Sequence, residues 1–404
     1  MKLILVVHAG PLAGARFEFD RHETFLVGRA PDTHLTLSED AHFSRHHFVL
    51  EVNPPQCLLR DLNSRNGTFV NGRRVTQALL KHGDEISGGK TRMRVELEAT
   101  PRELKDVAAT PPAPAPQPAS MRDDSHVLDF QPVPDYEVLS LLGQGKMGTV
   151  YLARHRETDE RFALKVITPE SSVRPKVISL FLREVSVLSQ LHHPRIVRLH
   201  DTGASGGMLY FVMEYIETVD VHEVLAGRSE AFKTKTFCAI ISQVLEGLAH
   251  AHARSFVHRD IKPGNILLSR VGKSLHVKVA DFGLAKNYMN AGLSGMTVEG
   301  ELLGTCAFMA PEQILNARDS KPTVDIYSAG ASLYQFLANQ YPHEYTRDQH
   351  PLATVLEEDA VPLTTRAPHI PAELAAIVHR SLARRPEDRF QTAEEMRDAL
   401  APFR

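Results

Sequence analysis

The tract "ATPPAPAPQPAS", residues 109–120, constrains this chain more than any other stretch. It carries almost no large apolar side chain, so it cannot bury enough surface to offset the entropy of ordering. Residues 111–118 favour extended polyproline II, reaching about 25 Å at ~3.1 Å per residue. The chain of 404 residues is therefore cut into two separate folding problems, with predicted boundaries at 1–98, 99–133 and 134–404.

The two sides differ in texture. Before the tract, short runs such as "ARFEF", "HHFVLEV", "CLLRDL" and "TRMRVELE" alternate with the turn signals "NPP", "NSRNG", "KHGDE" and "SGGK". No helical period persists there, which predicts an all-β sandwich. Leu3–Val7 is too short an apolar run for a secretory signal and is expected to be a first strand. After the tract, residues 136–167 read as three strands joined by turns, and helical patterns begin near 174. Phe237, Ile241, Val244 and Leu248 recur on one face of a helix, and "LAAIVHRSLA" and "AEEMRDAL" form further helices. A strand-rich lobe followed by a helical lobe predicts an α+β bilobal unit with a ligand cleft.

The formal net charge of -3 gives no reason to expect nucleic acid or an anionic membrane as partner. No apolar run is long enough to span a membrane. Cys57, Cys238 and Cys306 stand far apart, which argues against a disulfide framework or zinc site and for a reducing cytoplasm. The histidine pairs 46–47 and 192–193 lack metal-ligand spacing.

Chemistry concentrates after the linker. Gly143, Gly145 and Gly148 form GxGxxG, followed by Val150. A Rossmann turn would open a helix, but "TVYLA" reads as strand, and Gly145-Lys146-Met147 fails the Walker pattern. The glycines are either plain hairpin chemistry or a flap whose amides cover phosphates. Lys165 lies in the apolar strand "RFALKVI", and Glu184 in the helical "LFLREVSVLSQL", a possible ion pair that would hold an ammonium against phosphate. "HRDIKPGN" places Asp260, Lys262 and Asn265 on one turn-rich loop, and "VADFG" adds Asp281. Asp260 can accept a proton from an attacking hydroxyl, and Lys262 can neutralise charge on a transferring phosphoryl group. Asn265 and Asp281 offer hard oxygens to Mg²⁺. Phosphoryl transfer needs this kind of positioning and charge neutralisation.

Taken in order, GxGxxGxV, FALK, Glu184, HRD with Lys262 and Asn265, DFG at 281–283, APE at 310–312, "DIYSAG" and Arg389 make residues 136–398 resemble a eukaryotic-type protein kinase. Lys262 and Thr305 match the serine/threonine class. The resemblance implies ATP and Mg²⁺ as cofactors, protein substrates, and an adenine pocket of Leu142, Val150, Ala163 and Leu267. It also implies Met213 as gatekeeper, hinge backbone contacts at Glu214 and Ile216, a ribose contact at Asp220, and an APE glutamate paired with Arg389. His258 is expected to pack rather than react. Activation-loop arginine logic around Arg259 predicts autophosphorylation at Thr297 or Ser294, with Thr297 preferred. Two departures stand out: Glu217-Thr218-Val219 where glycine is common, and Cys306 and Phe308 where Pro and Tyr are common. A non-catalytic scaffold that only binds nucleotide is the alternative, and the intact Lys165, Asp260, Asn265 and Asp281 argue against it.

Residues 2–98 resemble a forkhead-associated (FHA) domain through Gly28-Arg29, Ser44-Arg45-x-His47 and Asp61-x-x-Ser64-x-Asn66-Gly67-Thr68. That resemblance implies recognition of phosphothreonine by Arg29, Ser44 and Arg45, with Asn66 holding the peptide backbone beside Arg65. His47 is expected to brace the loop. The ligand would be a phosphorylated partner protein, or the chain's own activation loop or linker, where Thr100 and Thr110 precede proline.

Overall fold

The computed structural model describes residues 2–98, 133, 135–145, 148–167, 190–205, 208–272, 274–282, 306–315, 320–346 and 349–404. The Pro/Ala tract, Glu184, Ser294, Thr297 and Thr305 fall outside them. The chain divides into two compact units, built mainly on residues 1–127 and 128–404.

The first unit is entirely strands and turns among the described residues. One sheet orders β2 (Arg16–Phe19), β1 (Lys2–Ala9), β11 (Thr91–Glu98), β10 (Glu85–Gly88), β7 (Thr68–Val70) and β8 (Arg73–Val75). The other orders β4 (Leu35–Thr36), β3 (Glu23–Gly28), β5 (Phe48–Asn53), β6 (Gln56–Asp61) and β9 (Gln77–Leu79). Alternate side chains, among them Leu3, Leu5, Val7, Phe48, Leu50, Val52 and Leu59, fill one core. The expected first strand is β1.

The second unit opens with an antiparallel sheet ordered β12 (Tyr136–Gly145), β13 (Gly148–His155), β14 (Arg161–Ile167), β16 (Met208–Glu214) and β15 (Leu199–Ser205). The period-two alternation of β14 sends Phe162, Leu164 and Val166 into a small core, with Ala163 and Lys165 on the opposite face. A hairpin of β17 (Ile266–Val271) and β18 (Ser274–Val279) follows the long helix α1 (Glu230–His252). Ser229 caps α1 by accepting from Phe232 N–H, which starts it earlier than the apolar period alone marks. Phe237, Ile241, Val244 and Leu248 are buried as the spacing requires. Helices α3 (Thr323–Ala338), α4 (Ala372–Ser381) and α5 (Ala393–Ala399) build most of the rest of the larger core with α1, and the short helix α2 (Pro311–Leu315) follows the core residues Ala307, Phe308 and Ala310.

Candidate functional site

In the second unit, the glycine-rich segment lies between two strands: Gly145 pairs with Gly148 across β12 and β13. Gly148 has φ +137°, and a Cβ there would lie 2.1 Å from the Val166 carbonyl oxygen, so backbone packing demands glycine. Gly143 and Gly145 differ, because no described atom lies within 4 Å of where their Cβ would stand. Their lack of side chains answers no packing need among the described residues.

Lys165 is 6% exposed, which reverses the usual fate of a strand lysine. Its Nζ donates to Asp281 Oδ2 at 2.7 Å. Glu184, the expected partner, lies outside the described residues. Asp281 has φ 59°, a left-handed backbone that turns its carboxylate toward β14. On the neighbouring loop, Lys262 Nζ donates to both Asp260 carboxylate oxygens, at 3.1 and 2.9 Å. Asn265 Nδ2 donates to the carbonyl and Oδ2 of Asp260, at 2.7 and 2.9 Å. That orients the other side of the amide, Oδ1, away from Asp260. The two loops are tied by Ala280 N–H donating to the Asn265 carbonyl at 2.9 Å. Asp260, Lys262 and Asn265 therefore form one cluster, linked to Asp281 through a single backbone step.

Beneath them sits a buried frame. His258 is fully buried, bonds Ala280 O through Nε2 at 2.8 Å, accepts from Asp260 N–H at Nδ1 and packs edge-on against Phe282. Both ring nitrogens are occupied structurally. Asp325, fully buried, accepts from the N–H groups of His258 and Arg259 and bonds His252 Nε2, all at 2.7–2.8 Å. Burial alone would raise its carboxyl pKa, but the His252 hydrogen bond and nearby positive charge outweigh it and hold the group below its ordinary value. Within "DIYSAG" nothing local marks the aspartate as the support of the 258–265 loop. Arg389 grips Glu312 with two bonds of 2.7 and 2.8 Å and donates to the carbonyls of Thr323, Ala383 and Arg384.

Of the remaining expected nucleotide positions, only Val150 is shown beside Lys165. Val150 is register-paired with Lys165, Ala163 with Met213, and Leu267 with Lys278. Leu142 is exposed. Glu214 closes β16, and its carboxylate takes Lys278 Nζ at 2.9 Å. Ile216 follows in irregular chain. Asp220 caps the turn at Val221–Val224 by accepting from His222 N–H at 2.7 Å.

In the first unit, the expected phosphate-reading residues cluster on loops. Gly28 is required because a Cβ there would lie 2.1 Å from Arg45 O. The N–H groups of Arg29 and Ala30 bind that same carbonyl. Ser44 Oγ accepts from Arg65 N–H at 3.0 Å, and Asn66 Nδ2 donates to His42 O at 2.7 Å. Arg29, Arg45 and Arg65 are exposed, and none forms an ion pair with a carboxylate among the described residues. Asp61 holds the second loop by accepting from Ser64 N–H, Ser64 Oγ and Thr68 Oγ1. Asp40 accepts from Lys90 N–H and Thr91 Oγ1. Burial would raise the Asp40 carboxyl pKa, but these donors and His42 bring it below its usual value. His47 is fully buried, accepts from Ser44 N–H at Nδ1 and bonds Gly67 O through Nε2. Burial pushes its pKa down, so the neutral ring joins both loops. Asp61 opens the sequence pattern at 61–68, while no local pattern marks Asp40.

A protein kinase domain model matches residues 136–400, and an FHA domain model matches residues 25–89. The serine/threonine-protein kinase PknB of Mycobacterium tuberculosis is 34% identical over 289 residues, covering 69% of this chain and 44% of that protein. PknD of Chlamydia muridarum, also a serine/threonine-protein kinase, is 32% identical over 298 residues, covering 66% of this chain and 31% of PknD. The chain thus spans less than half the length of these relatives. The crystal structure of the M. tuberculosis PknI kinase domain superposes with a TM-score of 0.51 at 26% identity, covering 67% of this chain and 96% of that domain.

Proposed function

This chain belongs to the protein kinase family and carries an N-terminal FHA domain, and from that premise we propose that it transfers the γ-phosphate of Mg·ATP to Ser/Thr hydroxyls of proteins and docks phosphothreonine through its first unit. One observation carries the reading: Lys165–Asp281 at 2.7 Å and Asp260–Lys262–Asn265 within 3.1 Å gather the groups phosphoryl transfer needs.

Lys165 holds the α- and β-phosphate oxygens, exchanging Asp281 for them. Asn265 Oδ1 and the Asp281 carboxylate are the hard-oxygen donors that would hold Mg²⁺, a set with few carboxylates, as that ion prefers. Bound there, Mg²⁺ supplies charge neutralisation on the phosphates. Asp260 orients the acceptor hydroxyl and takes its proton. Lys262, already beside Asp260, stabilises charge developing on the transferred group. Gly143 and Gly145 let backbone amides approach phosphates. The first unit offers Arg29, Ser44 and Arg45 to a phosphate, with Arg65 and Asn66 beside it. Its ligand is a phosphorylated partner or the chain's own phosphorylated loop, with Thr297 or Ser294 as the autophosphorylation site. No described helix is long and apolar enough to cross a membrane.

The test is phosphate transfer from labelled ATP by wild type and Asp281→Ala. Transfer by wild type alone supports the kinase. Equal, near-zero transfer by both favours a scaffold that only binds nucleotide. Phosphopeptide mapping after incubation with ATP locates the autophosphorylation site; no phosphate between 284 and 303 would exclude Thr297 and Ser294.

A further inference from the structure

The peptide that precedes Asp260 is clamped from both sides. Arg259 has φ 69°, in the left-handed region that side-chain-bearing residues seldom adopt. Its N–H donates to Asp325 Oδ1 at 2.7 Å. Its carbonyl, at the link to Asp260, accepts from Gln313 Nε2 at 2.7 Å. Asp325 has several partners, but Gln313 has this one side-chain bond among the described residues. Gln313 is 7% exposed, and its Oε1 is buried without a hydrogen-bond partner among the described residues. The orientation is forced, because only the nitrogen side of the amide can donate to a carbonyl.

A buried amide with one half unmet is a poor choice for stability. Leucine or methionine would fill the same space without an unpaired oxygen. What glutamine adds is the one donor aimed at Arg259 O. That donor stands on a fixed base. The adjacent Glu312 is gripped by Arg389 through two bonds, and Ser328 Oγ donates to Phe308 O at 2.7 Å, anchoring the segment that leads into α2.

We infer that Gln313 is a positioning residue for phosphoryl transfer: it fixes the Arg259–Asp260 peptide, so that the placement of the Asp260 carboxylate depends on the 306–315 segment. The inference rests on the reading of Asp260 as the proton acceptor.

The full chain carrying Gln313→Met or Gln313→Glu tests it. Gln313→Met keeps the shape and loses the donor; kcat falls about 100-fold, the scale of a small misplacement, while nucleotide affinity holds. KM for ATP stays within about twofold of wild type. Gln313→Glu is impaired at neutral pH, where its carboxylate cannot donate. Its activity recovers relative to wild type as pH falls, because a protonated carboxyl donates again. Hydrogen exchange across 256–262 is followed in parallel and speeds up in Gln313→Met. A kcat within about threefold of wild type in Gln313→Met overturns the inference, whether or not exchange changes. So does a fall in kcat that comes with equally lost nucleotide affinity. If wild type itself transfers no phosphate, the proposed function fails, and unchanged exchange then removes Gln313 as a clamp as well, whereas faster exchange keeps the clamp.

Discussion

The two units handle charge in opposite ways. On the FHA unit, Arg29, Arg45 and Arg65 stand exposed without a carboxylate partner among the described residues, while the acids nearby are buried and engaged, Asp61 by donors of its own loop and Asp40 by Lys90 N–H and Thr91 Oγ1 at the turn between β10 and β11. In the kinase unit each reactive charge already has an opposite: Lys165 has Asp281, and Lys262 has Asp260. A binding surface keeps its cations uncompensated because the anion it awaits is the ligand. A phosphoryl-transfer site must exchange partners during each turnover, so its charges rest in pairs on a rigid frame. Both frames combine a buried carboxylate with a buried histidine: the FHA loops hang on Asp61 and the neutral His47, and the 258–265 loop hangs on Asp325 and His258.

The sharpest way to separate the two regimes is Asp260→Asn. It removes the carboxylate proposed as proton acceptor while keeping a polar partner for Lys262, and kcat is expected to fall about 1,000-fold. Phosphopeptide affinity of the same protein, measured by isothermal titration, stays at the wild-type value. A parallel loss of both would mean that the variant has damaged more than one site. Next in size is Arg389→Met, which strips Glu312 of its buried partner and leaves three backbone carbonyls short of a donor. Removing one side of such a pair costs about 3 kcal/mol, the low end of the usual range because Glu312 keeps some solvent access. Chemical denaturation monitored on the kinase unit measures it, and an unchanged midpoint would show that the frame does not depend on this grip.

Much of this was legible in the sequence because local rules and long-range packing agree. The alternating strands of the first unit, the amphipathic α1 and the turn-rich loop at 258–265 all fold as their patterns dictate. The proximity of Asp260, Lys262 and Asn265 is nearly a consequence of their spacing on one tight loop. What the residue pattern alone could not reveal were contacts across long separations; of these, the family resemblance supplied the pair of Glu312 and Arg389, 77 positions apart. Lys165 meets Asp281 across 116 positions, and Gln313 meets Arg259 across 54. No periodicity encodes such pairings. Asp40 hides for a related reason: its partners Lys90 and Thr91 come from a strand turn about fifty residues on, and "SED" reads as solvated loop until that turn folds over it.

Two smaller effects probe the binding side of the comparison. Arg29→Ala removes a charged donor that the reading aims at phosphate, a loss of about 2 kcal/mol or roughly 30-fold in phosphopeptide affinity. Transfer to a peptide lacking phosphothreonine is unaffected. If affinity is retained, Arg45 and Arg65 carry the phosphate without it.

The smallest effect concerns His47, and its sign follows from its burial. The folded protein favours the neutral ring, so its pKa lies below the ordinary imidazole value. The folded state therefore binds fewer protons than the unfolded chain as pH drops. The brace between Ser44 and Gly67 is intact above the ordinary imidazole value and is lost as pH falls through the depressed one. A protonated Nδ1 would point a donor at Ser44 N–H, where an acceptor is needed. Phosphopeptide affinity measured from neutral to mildly acidic pH should thus fall more steeply in wild type than in His47→Gln, whose side chain stays uncharged. The titration of the ligand phosphate is common to both proteins and cancels in that comparison. Parallel pH profiles would show that the loop holds its shape without a neutral imidazole, leaving the Asp61 carboxylate as its brace.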